Sequence, residues 1–456
     1  MIRKIETPLS SFQLYLLFKD EPFSFILDSG MDSNKLGRYS IIGADPFKVF
    51  KSKDNAMTVT SRDGNVSQKE GNPFAELKHL FAEFKSFERG QLPFLGGAVG
   101  YFSYDLCHFV ESLPRTAVDD VNVPDCYLGF YDGVVIVDHQ SKETFIVALG
   151  IDGDQQVKLD NLQKKIQDGA INPPNIEVKP KAVKPEFKAN MEKSYYIETI
   201  NRIKEYIRSG DIYQANMTQR FECELEETPL ELYTKLRTIN PAPFATFMDF
   251  GEGAIVSSSP ERFIKVEDGV IETRPIKGTR PRGATPEEDK INREELLASE
   301  KDRSELLMIV DLERNDLGRI AKTGTVKVPE LFVLEEYATV YHLVSTVVAE
   351  VKDECDAVDI LEATFPGGSI TGAPKIRAME VIDELEPTQR NIYTGSIGYI
   401  GFNGDIDLNI VIRTVLCKDN KAYFQVGGGI VWDSDPEMEY QESLDKAKAQ
   451  MMALSQ

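Results

Sequence analysis

The stretch FSFILDSGMDSNKLGRYSIIGADP, residues 23–46, places two short apolar runs on either side of a segment rich in Gly, Asp, Ser and Asn, the pattern of strands separated by turns. FLGGAVGYF at 94–102 and VVIVDH at 134–139 repeat it, so the first 150 residues read as antiparallel strands. Residues 173–189, PPNIEVKPKAVKPEFKA, are rich in Pro and Lys and poor in large apolar side chains, which marks a linker or an exposed crossing strand. The expected division is therefore a β-rich region over 1–190 and a second region over 191–456.

With 456 residues, 41% apolar and 9% aromatic, the chain has enough material for two domains or one large intergrown one. No stretch approaches the roughly 18–20 uninterrupted apolar residues that span a bilayer. The apolar run near the start is broken by Gln13 and Lys19, so a cytoplasmic location is expected. Cys107, Cys126, Cys223, Cys355 and Cys417 are far apart and form no CxxC pair, which argues against a disulfide framework or a zinc knuckle. The balance of 52 Lys plus Arg against 74 Asp plus Glu, a net charge of −22, repels nucleic acid and anionic membranes. A small anionic substrate would need a local cationic anchor.

Beyond the linker, Ile200, Ile203 and Ile207 recur at helical spacing ahead of Gly210, which predicts a helix over 194–209. Thr285-Pro286-Glu287-Glu288 reads as a capping box opening one long helix toward Gly318. Another helix should begin near Asp435-Pro436 and run to the C-terminus.

Two of these helices carry acidic pairs at i, i+3, Asp302 with Glu305 and Glu439 with Glu442, each pair on one face. Converging, the four would suit magnesium; apart, they describe a solvated face, with Glu442 pairing Lys446. Met308 and Ile309 follow on the face of Glu305 and imply its partial burial. In ETRPIKGTRPRG, 272–283, Lys277 sits among Arg274, Arg280 and Arg282. Burial and neighbouring positive charge would lower its pKa, as a nucleophile requires, although a turn lysine binding an anion fits too. Glu261 in SSSPERF ends a strand, either as a proton donor or as a surface charge.

FPGGSITGAPKIRAME, 365–380, joins a glycine-rich loop to a helix, so that backbone amides, Ser369 and Thr371 can meet an anion. Gly427-Gly428-Gly429 offers further amides to a carboxylate, or forms a bulge or a tight turn. Arg413, inside the strand-like LNIVIRTVL, can grip a carboxylate or face water from an edge strand. His342 lies in an apolar run, helix or buried strand, where a lone histidine is usually a hydrogen-bonded core residue. Taken together, these groups describe a site for a small dicarboxylate.

SSSPERF, PIKGTRPRG, ELLMIVDLERNDLGR, YHLVSTV, FPGGSITGAPKIRAME, GSIGYIGFNGDIDLNIVIRT, GGGIVWDSDPEMEY and YQESLDKA occur in an order that resembles the chorismate-using enzymes. That family includes anthranilate synthase component I, aminodeoxychorismate synthase component I and the isochorismate synthases. The resemblance covers residues 194–456 densely. ILDSG, GRYSIIG and NPAPF (240–244) are similar to the pieces that form a tryptophan pocket in the aminating subfamilies, with Ser29 as the candidate pocket residue. PIKGT resembles the aminodeoxychorismate branch, whereas anthranilate synthases resemble PIAGT.

The resemblance implies an α+β fold of large antiparallel sheets packed together with helices outside. It implies that Glu305 and Glu442 bind Mg2+ beside Asp302 and Glu439; most anthranilate synthases have glutamate where this chain has Asp302, which leaves that ligand open. Arg413 and Gly427, Gly428 and Gly429 would bind the pyruvyl carboxylate, with Ser369 and Thr371 lining the ring pocket. Gly278, Thr279 and His342 complete the expected substrate-binding set. Lys277 would attack ring carbon 2 of chorismate while the hydroxyl on carbon 4 leaves, protonated by Glu261. A glutamine amidotransferase partner would supply ammonia, and a separate lyase would release p-aminobenzoate for folate synthesis. The competing readings are an anthranilate synthase, an isochorismate synthase and a tryptophan-binding regulatory subunit without catalysis.

Overall fold

The computed structural model describes residues 1–29, 36–84, 90–178, 181, 184–337 and 340–456. Gly30 of ILDSG and linker residues 179, 180, 182 and 183 lie outside the described residues. Among the described residues the architecture is α+β: two 12-stranded sheets, every strand pair antiparallel, with helices on their outer faces. The four early apolar segments form the strands Phe25–Asp28, Tyr39–Gly43, Gly97–Phe102 and Gly133–Asp138. Glycine is needed in FLGGAVGYF because a Cβ on Gly100 would stand 1.8 Å from the Tyr127 carbonyl oxygen of the next strand.

Strands from before and after the Pro- and Lys-rich stretch share both sheets. Phe25–Asp28 pairs with Phe244–Asp249 in the first, and Gly97–Phe102 pairs with Ser396–Gly401 in the second. Lys188–Ala189, at the end of that stretch, pairs with Phe221 and Glu222 at the rim of the first sheet, as a crossing strand would. Between the sheets lies a core rich in aromatic rings, including Phe25, Tyr101, Tyr127, Tyr131 and Phe250. Burial of such side chains contributes roughly 1.5–3 kcal/mol each.

The expected helix around 194–209 is Lys193–Ser209, closed by Gly210 at φ 85°. The helix Pro436–Ser455 is capped by Asp435, whose carboxylate accepts the N–H groups of Glu437 and Met438, each at 3.0 Å. The single helix expected from Thr285 is instead two, Pro286–Ala298 and Glu300–Ile320. Ser299 takes an extended conformation, ψ 105°, and its hydroxyl accepts the Asp302 N–H at 3.2 Å. With Glu300 and Asp302 in the first turn, Ser299 is itself a good helix start, a signal masked by the helix formers on either side. Among the described residues, no helix is long and apolar enough to cross a membrane.

Arg390 and Glu386 form a buried pair, 1% and 2% exposed, joined through Nε–Oε2 at 2.9 Å and an N–O contact of 2.8 Å. The same guanidinium donates to the Ile370 and Asn216 carbonyls at 3.0 and 2.9 Å, tying the glycine-rich loop to the strand Gln214–Glu224. Arg390→Ala leaves that carboxylate uncompensated and is expected to cost about 3–5 kcal/mol of unfolding free energy, read from denaturant titration. A loss under ~1 kcal/mol, the scale of an exposed pair, would contradict this account.

Candidate active site

The site forms where the chain passes between the two sheets. Glu261 stands at the corner between Ala254–Ser259 of the first sheet and Arg262–Glu267 of the second. Arg413 stands at the reverse crossing, between Ile406–Ile410 and Thr414–Lys418. The two corners are bonded together: the Ile410 N–H donates to the Glu261 carbonyl at 3.0 Å, and the Ser258 N–H to the Arg413 carbonyl at 3.1 Å. Arg413 is therefore at a bend with φ 54°, not inside one strand as its sequence context suggested. An apolar run does not announce a change of sheet, because both segments are buried on either side of the bend.

Lys277 lies on the strand Ile276–Pro281, whose register with Val340–Glu350 shifts between Ile276 and Thr279. Gly278 has φ 80°, so the Lys-Gly pair occupies an irregularity that re-aims the lysine. Its Nζ donates to the Ser369 carbonyl at 3.1 Å. Burial lowers its pKa, helped by Lys446 and opposed by Glu305, Glu261 and Glu442. Glu261 is 6% exposed, and burial raises its pKa against a hydrogen bond with the Ser369 side chain and the charge of Lys277. Ser369 thus accepts from Lys277 through its carbonyl, while its side chain acts on the Glu261 carboxyl. Thr371 is fully buried, and its hydroxyl turns back to the Gly367 and Gly368 carbonyls at 3.1 and 3.3 Å.

His342 is on the strand Val340–Glu350 opposite Thr279, with Nδ1 2.9 Å from the Thr279 hydroxyl. Burial and the nearby Arg413 hold its pKa down to about 4, so the ring is neutral at pH 7. Arg413 donates to the Lys446 carbonyl at 2.6 Å.

Gly427, Gly428 and Gly429 form neither bulge nor turn; they lie in the strand Lys421–Ile430 and pair with Thr218, Met217 and Asn216. On the other edge, pairing with Thr414–Lys418 ends at Phe424, so beyond it that edge has no strand neighbour among the described residues. A side chain begun at Gly428 would meet Lys446 Nζ at 3.3 Å, Glu439 Oε2 at 3.4 Å and Glu442 Oε1 at 3.7 Å. Bare glycine leaves that space open.

Of the four acids, Asp302 is paired with Arg280 at 3.2 Å and Glu442 with Lys446 at 2.8 Å. Glu439 accepts the Ser434 hydroxyl at 2.7 Å, and Glu305 has Lys301 at 3.9 Å. Burial raises the pKa of Glu305, with Asp302 and Glu439 adding to it. Burial raises Glu439 likewise, with Glu442 adding to it. For Glu442 burial is outweighed by Lys446, which with Lys301 and Lys277 carries its carboxyl below the ordinary value. Among the described residues, no three carboxylates or imidazoles stand close enough to form a closed metal cage. Magnesium needs only one or two carboxylates beside its waters, and the Gly428 space bordered by Glu439 and Glu442 fits such an open site.

Gln214, which no motif singles out, is fully buried beside Gly429, and its two amide atoms have no partner among the described residues. A usable signal existed, since Gln214, Asn216 and Thr218 alternate along one face of a strand. The i, i+4 spacing of Lys446 shows only its pairing with Glu442, yet its Nζ also donates to the Gly427 carbonyl at 2.9 Å.

A separate cavity of about 370 Å³ has Asp28, Ser29, Tyr39, Phe244 and Arg262 among its lining residues, so ILDSG, GRYSIIG and NPAPF meet there. The Ser29 hydroxyl donates to the Tyr39 carbonyl at 2.5 Å.

The chain belongs to the chorismate-binding enzymes, whose family profile matches residues 24–452. It is 41% identical to anthranilate synthase component 1 of Acetivibrio thermocellus, over 99% of this chain and 93% of that one. It is 43% identical to aminodeoxychorismate synthase component 1 of Klebsiella aerogenes, over 93% of this chain and 92% of that one. The crystal structure of anthranilate synthase component I from Streptococcus pneumoniae TIGR4 aligns with a TM-score of 0.82 at 33% identity, covering 92% of this chain and 93% of its own. Overall identity therefore does not separate the two activities.

Proposed function

We propose that this chain is component I of an aminodeoxychorismate synthase. The observation that carries the reading is Lys277 held at 3.1 Å from the Ser369 carbonyl with its pKa lowered, on the same Ser369 that engages Glu261. A neutral amine can attack carbon, and the alanine of a PIAGT motif cannot.

In this reading the Lys277 amine forms a bond to ring carbon 2 of chorismate, both conjugated ring double bonds shift by one position, and the carbon 4 hydroxyl leaves as water with the Glu261 proton. Ammonia then bonds to carbon 4, both double bonds shift back, and the carbon–nitrogen bond to Lys277 breaks to return a neutral amine. The new ammonium at carbon 4 returns a proton to Glu261. Glu439 and Glu442 would hold Mg2+ at the Gly428 space, with the Glu305 charge close by and Asp302 kept back by Arg280. The ion would supply charge neutralisation to the ring carboxylate. Arg413 and the open edge at Gly427–Gly429 would take the second carboxylate, and neutral His342 with Thr279 would border the ring.

The relatives' designation as component 1 supports a partner subunit, here a glutaminase delivering ammonia. The cavity at Ser29 fits a tryptophan-sized ligand, and a cytoplasmic location accords with the family. Incubation of the chain with chorismate, Mg2+ and ammonium at alkaline pH should give aminodeoxychorismate by mass, without pyruvate. Anthranilate with pyruvate, or isochorismate, as the main product would defeat the assignment.

A further inference from the structure

Behind the catalytic groups lies a set of buried charges that the proposed chemistry does not use. Glu313 is 3% exposed and sits on the helix Glu300–Ile320, about two turns beyond Glu305. Its Oε1 accepts the Gly368 N–H at 3.1 Å, while its Oε2 is buried without a partner among the described residues. Asp316, 2% exposed and nearly one turn further, accepts Lys375 Nζ at 2.5 Å. The same ammonium donates to the Thr364 and Pro366 carbonyls at 3.1 and 2.9 Å. The backbone from Thr364 to Gly368 is thus held at three points by side chains from two helices. The next residue is Ser369.

We propose that Glu313, backed by Asp316 and Lys375, is a positioning residue for amination: it fixes the Gly368–Ser369 turn so that the Ser369 carbonyl holds the Lys277 amine. This inference rests on the roles given above to Lys277 and Glu261.

An unpartnered carboxylate oxygen in the interior is costly, and it costs less when the group is neutral. Burial, with Asp316 adding, pushes the Glu313 carboxyl up to about 8, against Lys375 and the Gly368 N–H. The charged groups facing it are Asp316 on its own helix, Lys375 at the start of Lys375–Leu385, and Glu261 at the sheet corner. The raised pKa favours the neutral carboxyl at Glu313, beside the ion pair of Asp316 with Lys375. Its work requires an acceptor of the right length, not a negative charge.

The test compares Glu313→Gln and Glu313→Ala by steady-state kinetics and by mass detection of the chorismate adduct on Lys277. Glutamine keeps the acceptor for the Gly368 N–H at the same length, so E313Q is expected to retain kcat within about threefold of wild type. Alanine frees the Gly368 N–H, and E313A should lose roughly 10–100-fold in kcat and in adduct formation, with KM for chorismate within about threefold. Should E313A be insoluble, E313D, which withdraws the carboxyl by one methylene, carries the same expectation. Wild-type adduct rates in E313A or E313D would overturn the proposal, as would E313Q as impaired as E313A, or equal losses in kcat and binding. A wild-type enzyme that forms no Lys277 adduct would instead defeat the proposed function, before any variant is compared.

Discussion

Lys277→Ala is expected to abolish the covalent adduct and to reduce amination at ring carbon 4 by at least ~10³-fold, on the scale of losing a covalent nucleophile. The side chain sits in a register irregularity opened by Gly278 and has one backbone acceptor, the Ser369 carbonyl. Removing it leaves the acidic groups, Arg413 and the glycine edge in place, so chorismate should still bind. Ring carbon 2 then becomes open to an external nucleophile, and the residual product should shift toward substitution there. Mass spectrometry of quenched protein and product analysis read both effects. Undiminished amination in the variant would remove the nucleophile from the mechanism.

Glu261→Gln should lower kcat by roughly 10²–10⁴-fold, the range for loss of a general acid, with little change in chorismate affinity. Its pH profile is the sharper readout. Burial raises the Glu261 pKa, so the proton it donates persists to higher pH than on an ordinary carboxyl and is lost as pH rises through the raised value. Burial lowers the Lys277 pKa, so the neutral amine is gained at lower pH than on an ordinary lysine. Wild-type kcat should be bell-shaped, its acid limb set by Lys277 and its alkaline limb by Glu261. The E261Q profile should keep the rise and lose the fall. An unchanged alkaline limb would assign that limb to another group.

Much of this was legible in the sequence because it is local chemistry. The strands around FSFILDSG and VVIVDH follow from apolar runs bounded by turn residues, and the Lys-Gly pair in PIKGT follows from the conformation that only glycine accepts readily at position 278. Spacing alone gave each acidic pair a common helix face, but not its partners. Arg280 is 22 residues from Asp302 along the chain, and only the folded strand brings them to 3.2 Å. The corners that present Glu261 and Arg413 were hidden for a similar reason: a buried strand reads alike in either sheet. Gln214 and Glu313 are buried polar residues, and their meaning lies in atoms left without partners among the described residues, which no one-dimensional pattern records.

The strand Gly97–Phe102 is buried along its whole length between Cys126–Tyr131 and Ser396–Gly401. The second neighbour is encoded about 300 residues later, and a ribosome moving at roughly 5–20 residues per second takes roughly 15–60 s to deliver it. During that interval the nascent polypeptide carries a glycine-bearing apolar edge able to recruit a strand from any other unfinished copy. Slowing synthesis or lowering the temperature is therefore expected to reduce pairing between unfinished copies, read as a smaller insoluble fraction.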